Sequence, residues 1–233
     1  MTRMAALAVS FQKRGGFDDL DDVKIGLNAV SNRIFLVSSS SESGHPYHHG
    51  NLRQALLDAA FALLDTRAAA QLSLREVARA AGVSHAAPYH YFADRHALLK
   101  AVGTECMRRF LLAQQDAVAG HRAPMERLLA LGLAYVGFAH AQPNAFALVF
   151  DAQLCPPGAP NAESAPLIAA NEALLRECVA ALQQADGVPD VDADALGAAL
   201  WGTVHGLAQL VMAGHLPPQA VEPALRALLG LRG

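Results

Sequence analysis

Residues Leu72 to Phe92 read LSLREVARAAGVSHAAPYHYF. An alanine-rich run stops at Gly82, restarts at Ser84, and passes through Pro88 into Tyr89, His90 and Tyr91. Ser73 followed by Glu76 is a capping box. The serine oxygen accepts from the Glu76 N–H, and the glutamate reaches back to the cap's own N–H. Gly82 accepts a positive φ without cost, so it ends that helix as a left-handed turn residue. Ser84 is then expected to cap a third, short helix, and Asp94 a fourth through Leu98, Leu99 and Val102. Two helices joined by a glycine turn, the second too short to fold alone, describe a helix-turn-helix. Their close crossing needs a small residue, which Ala78 supplies. Val77, Ala81 and Val83 close the seam, with Tyr91 or Phe92 anchoring the far end.

Pro88 fits this reading. With Ser84 as the cap it is the fourth helical residue, and it forfeits only the bond to the Ser84 carbonyl. Ser84, His85, Ala86 and Ala87 are small enough for close approach to base edges. Tyr89, His90 and Tyr91 carry hydroxyl and imidazole groups able to donate to phosphate oxygens. The short helix reads as a recognition helix.

The rest of the chain is consistent with that. Of 233 residues 53% are hydrophobic, enough for one or two domains with a real core. Alanine and leucine dominate and β-branched runs are few, so an all-α fold is expected. Cys106, Cys155 and Cys178 are odd in number and form no C-x-x-C pair, which supports neither a disulfide framework nor a zinc site. A reducing cytoplasm is the expected location. The net charge of −3 is unevenly spread. Residues 45–100 carry six basic and four acidic side chains with six of the ten histidines, whereas residues 101–233 carry seven basic and twelve acidic. A mildly basic block on an acidic body is what a polyanion contact would use.

Residues 1–44 differ from the remainder of the chain, with Asp18-Asp19-Leu20-Asp21-Asp22 and a serine run from Ser38 to Ser41. They read as a flexible extension or as the product of a start codon placed too early. From Asn51, Leu52, Leu56, Ala59, Ala60, Leu63 and Leu64 recur at helical spacing. Beyond Gly120, helices are expected over Met125 to Ala141, Pro143 to Phe150, Pro166 to Ala185, Ala193 to Ala213 and Pro218 to Leu231. Cys155 to Pro160, CPPGAP, is a loop.

The block YHHGNLRQALLDAAFALLDTRAAAQLSLREVARAAGVSHAAPYHYFADRHALLKAV resembles, over about residues 47–103, the DNA-binding domain of the tetracycline-repressor (TetR) family of bacterial regulators. The resemblance implies phosphate contacts from Ser73, Tyr89 and Arg95, the last at a position where the family usually has lysine. Arg53 is a further DNA-contact candidate. Ala87 stands in place of a frequent threonine and Pro88 in place of an aliphatic residue, so base preference does not transfer from relatives. LWGTVHGLAQLVMAGHL resembles a Trp-x-x-x-His-Gly signature of one branch, here Trp201, His205 and Gly206. The resemblance further implies a C-terminal domain that binds a small effector, and a homodimer built on the last two helices. The expected domains are therefore residues 45–103 for DNA binding and 104–233 for effector binding and dimerisation.

Several segments admit a second reading. Ala195 to Leu216 lacks Asp, Glu, Lys and Arg and is long enough to cross a bilayer. Thr203, His205, Gln209, His215 and its glycines favour an interface helix instead, with Gly202 and Gly206 allowing close approach and Leu225, Leu228 and Leu229 supplying the companion face. No membrane partner is expected. His45, His48 and His49 have no further ligand at metal spacing, so no metal is expected; they read as an arm near the phosphate backbone whose affinity falls as pH rises through roughly 6.5. Tyr135, Phe138, Phe146, Phe150, Trp201 and His205 are candidates for an effector pocket, with a plain aromatic core as the alternative. No nucleophile elbow, phosphate loop or paired carboxylates occur, so neither an enzyme nor a cofactor is expected. The reading is a homodimeric repressor on a palindromic double-stranded operator, released by an unknown small molecule. The alternatives are a helical small-molecule-binding protein, and an activator or architectural DNA binder with the same head.

Overall fold

The computed structural model describes residues 52–185 and 191–230. The extension over 1–44, the histidines at 45, 48 and 49, and the helix start at Asn51 lie outside the described residues. Among these there are eight α-helices, three short 3-10 turns and no strand, so the fold is all-α. Helix α1 (Leu52–Leu63) turns Leu56, Leu57 and Ala60 inward. A 3-10 turn over Ala69–Gln71 leads to α2 (Leu74–Ala80). Ser73 caps α2, its oxygen accepting from the Glu76 N–H at 3.3 Å. The Ser73 hydroxyl also donates to the Glu76 carboxylate at 2.9 Å, and Arg67 donates to the same carboxylate at 2.7 Å. Helix α2 ends in a Schellman turn: Val83 N–H donates to the Ala78 carbonyl at 2.9 Å and Gly82 N–H to that of Arg79 at 3.2 Å. Gly82 has φ +69°, as its position requires.

The third helix departs from expectation. It is a 3-10 turn over Ala87–His90 that starts from Ala86, after a turn at His85 and Ala86. The Ser84 carbonyl, which Pro88 cannot serve, is taken instead by the Ala87 N–H at 3.0 Å, three residues on. That exchange winds the segment with 3-10 spacing. Pro88 is fully buried, so its ring is an anchor of the turn and not merely tolerated there. Phe92 is the second anchor, while Tyr91 is half-buried.

Asp94 caps α3 (Arg95–Ala119) by accepting from Ala97 N–H at 2.8 Å. This helix of 25 residues, about 37 Å at 1.5 Å per residue, runs unbroken through the expected boundary at 103/104. The body adds α4 (Pro124–Ala141), α5 (Pro143–Val149), α6 (Ala165–Gln183), α7 (Ala193–Met212), a 3-10 turn at Pro218–Ala220 and α8 (Val221–Leu228). Pro124, Pro143 and Pro166 sit in first turns, where a missing N–H costs no intrahelical bond. Helix α4 lies between α3, α6, α7 and α8. Its Gly132 allows the close approach: a Cβ there would stand 3.0 Å from Leu225 Cδ1 and 3.3 Å from Val204 Cγ1. Leu225 therefore packs into its own subunit's core, and of the expected companion-face leucines only Leu228 is largely exposed.

Candidate functional site

The head presents one polar face around the 3-10 turn. Ser84, His85, Ala86, Tyr89 and His90 are exposed, Tyr89 by 54%, while Ala87 and Tyr91 are half-buried. Inward-facing Pro88 and Phe92 hold this outward face in place. Ser73 stands beside it half-buried, its hydroxyl already engaged with Glu76. That hydroxyl, with Arg67 and Arg79 adding to it, holds the Glu76 carboxyl below the usual range. Arg75, Arg79, His96 and Lys100 are also exposed on α2 and α3; the sequence shows them only within its counts of basic and histidine residues.

Two expected DNA contacts are committed elsewhere. Arg95 donates through Nε to the Leu72 carbonyl at 2.8 Å, and through Nη2 to Ala69 at 2.9 Å and Ala70 at 2.8 Å. Its guanidinium thus clips the end of the first 3-10 turn to the start of α3. Arg53 forms an exposed ion pair with Glu163 at 3.1 Å, facing the loop before α6.

Midway along α3 the head is tied to the body. Glu105, 4% exposed, accepts from Arg108 at 2.6 Å and from Arg109 at 2.6 Å. Burial pushes its carboxyl up, but the two guanidinium groups override this and hold it below the usual range. Arg109 also pairs with Asp58 of α1 and lies 4.1 Å over the Phe61 ring centroid.

At the far end of α3 lies a cleft of about 540 Å³, including its open mouth. Leu128, Leu131, Leu175, Leu200, Val204 and Leu225 line it, together with Gln114, Asn171, Tyr135 and Trp201. Of the six aromatic and histidine candidates, Tyr135 and Trp201 reach this cleft. Phe138, Phe146, Phe150 and His205 pack instead with Phe110 into a ring cluster, with Phe146 stacked on His205 at 5.8 Å. Tyr135 joins the two, sharing a 2.9 Å hydrogen bond with His205 Nδ1. Burial pushes the Tyr135 phenol far up, so it stays protonated. Gln114 and Asn171 were not anticipated. The signal for them is a polar residue on an inward stripe, at 107-111-114-118 on α3 and 168-171-175-178 on α6.

A glycine-turned helix pair with a rigid outward turn, joined by one long helix to a helical body with a cleft, defines a helix-turn-helix regulator class. Residues 56–102 match the family described as bacterial regulatory proteins, tetR family. Residues 128–231 match the tetracyclin repressor-like C-terminal domain. The chain belongs to the TetR family. It is 37% identical over 82 residues to the HTH-type transcriptional regulator BetI of Rhizobium meliloti (strain 1021), a match covering 34% of this chain and 39% of that protein. A solved protein of unknown function from Rhodococcus sp. RHA1 is 35% identical with a TM-score of 0.69, over 82% of this chain and all of the other. The transcriptional regulator FadR of Bacillus subtilis, solved with stearoyl-CoA, shares the fold at a TM-score of 0.58 and 16% identity, over 76% and 97% of the two chains.

Proposed function

We propose that this protein is a sequence-specific DNA-binding transcriptional regulator, acting as a homodimeric repressor that a small molecule releases from its operator. The observation that carries the reading is the anchored recognition turn. Pro88 and Phe92 are buried, so Ser84, His85, Ala86, Tyr89 and His90 face outward on a support that does not have to order itself on binding. Two such heads on a symmetric dimer enter successive major grooves, about 34–36 Å apart. Tyr89 and His90 donate to phosphates, and His85 and Ala86 face base edges.

Helix α3 supplies the link to the body. It carries Arg95 at the head, Glu105 and Arg109 against α1, and Gln114 at the cleft. A ligand that displaces the cleft end of this helix also moves the head through Asp58 and Phe61, and so changes the spacing of the two heads. Such a protein works where bacterial DNA lies, in the cytoplasm.

The test is a mobility-shift titration against DNA from the gene's own upstream region, with random DNA as competitor and at two salt concentrations. Specific binding survives both challenges, whereas pure counterion release does not. Tyr89→Phe weakens binding to all sequences alike, and His85→Ala changes preference at one position by about 1–3 kcal/mol. If both variants bind the operator as the parent does, the docking reading fails.

A further inference from the structure

The residues lining the cleft say what kind of molecule it takes, an inference that rests on the effector reading above. None of the fourteen lining residues is charged. A carboxylate, phosphate or ammonium placed there would shed its water and meet no opposite charge. Arg226, next to Leu225 on α8, is held by Glu222 at 2.8 Å and Glu126 at 4.0 Å, so it is not free to turn inward without breaking those pairs.

The polar groups of the lining are few, and two of them are engaged. Gln114 Nε2 donates to the Phe110 carbonyl at 3.2 Å, and the Tyr135 hydroxyl is bonded to His205. Asn171 carries a buried donor left over: its Nδ2 has no hydrogen-bond partner. A buried amide donor left without an acceptor destabilises a fold, and native proteins rarely keep one without a use. It sits on the inward stripe of α6, among the leucines of the cleft.

We infer that the cleft binds an uncharged, mainly apolar molecule bearing one carbonyl-type acceptor, to which Asn171 Nδ2 donates. The apolar walls supply affinity by burial, and the amide selects for the acceptor and fixes its orientation. Charged relatives of the same ligand, such as the free acid of an ester, are excluded by the desolvation they cannot recover.

The chain has one tryptophan, Trp201, and it lines the cleft, so its emission reports occupancy directly. Methyl octanoate, octanoate and 1-octene are titrated against the full-length protein at neutral pH. The ester is expected to bind at least about tenfold more tightly than the carboxylate. Asn171→Leu should erase most of the ester's advantage over 1-octene, about tenfold, while leaving 1-octene affinity close to the parent value. Asn171→Ala, which adds no bulk, should act in the same direction, and circular dichroism verifies that both variants are folded. Octanoate binding as tightly as the ester overturns the inference. So does an ester preference that survives both substitutions, or a Trp201 signal that none of the three probes moves. Mobility shift with operator DNA separates the two levels. An ester that binds as expected yet leaves operator affinity unchanged upholds the uncharged cleft and removes the effector reading.

Discussion

Arg95 can be read in two ways, and its surroundings decide between them. Its place at the start of α3 suggests a phosphate contact, yet its guanidinium serves three backbone carbonyls at once. Arg95→Ala is expected to lower the free energy of unfolding by about 1–3 kcal/mol in urea titration, since those carbonyls lose a charged donor. Arg95→Lys should recover less than half, because an ammonium cannot fork to three acceptors. Unchanged stability with weakened DNA binding would return the side chain to the phosphate. Glu105 is the second informative residue. Its carboxyl titrates below 4.5 in the folded state because Arg108 and Arg109 outweigh the effect of burial. Its stabilising contribution is therefore complete above about pH 4.5 and is lost as pH falls through the depressed value. Glu105→Gln should cost about 2 kcal/mol at neutral pH, less than a fully enclosed pair because Arg108 reaches solvent. The deficit should shrink as melting is repeated toward pH 3; a deficit independent of pH would mean that packing and not charge is lost.

The α2 turn isolates a single backbone cost. Gly82 sits at φ +69°, and a Cβ there would meet nothing within 4 Å. Gly82→Ala thus adds only the left-handed penalty, about 1–2 kcal/mol by thermal melting, and Gly82→Asn should cost less. A loss well above that would reveal packing around the turn that the open space does not suggest. The same turn shows what a sequence discloses about an element. Ser73 and Asp94 as caps, a positive-φ glycine and first-turn prolines act within a few residues of themselves, so α2, α3, α4 and α5 are legible in the sequence. The 3-10 winding at Ala87 was not, because it depends on which N–H takes the Ser84 carbonyl once Pro88 cannot. The cleft was illegible for a different reason. Its walls come from α3, α4, α6, α7 and α8, and only their packing decides that Tyr135 and Trp201 face it while Phe146 does not. The aromatic residues were recognisable as a group; their division between core and cleft depends on the fold.

For the whole molecule, the telling surface is the outer face of α7. Ala195, Ala199, Gly202, Gly206, Gln209 and Ala213 are all exposed and recur every three or four residues, forming one stripe that is small apart from Gln209, with Leu210 exposed beside it. This helix is long and apolar enough to cross a membrane, and only 17% of its apolar window is buried within the subunit. Its inner face packs on α4 and α6. A second copy of α7 is the occupant that the proposed two-headed operator complex would place there. The monomer gives Gly206 no packing task, because a Cβ there would meet nothing within 4 Å. Gly206→Glu should therefore leave the subunit folded, even gaining a few tenths of a kcal/mol of helix propensity. Across a close α7–α7 contact the same carboxylates would face each other at the two-fold axis. Sedimentation should then show the mass falling from two chains to one. Operator affinity should drop by about 10²–10⁴, the advantage of linking two heads. A variant that keeps the dimeric mass would move the interface to another face, and one that becomes monomeric with undiminished DNA affinity would mean that a single head is the binding unit.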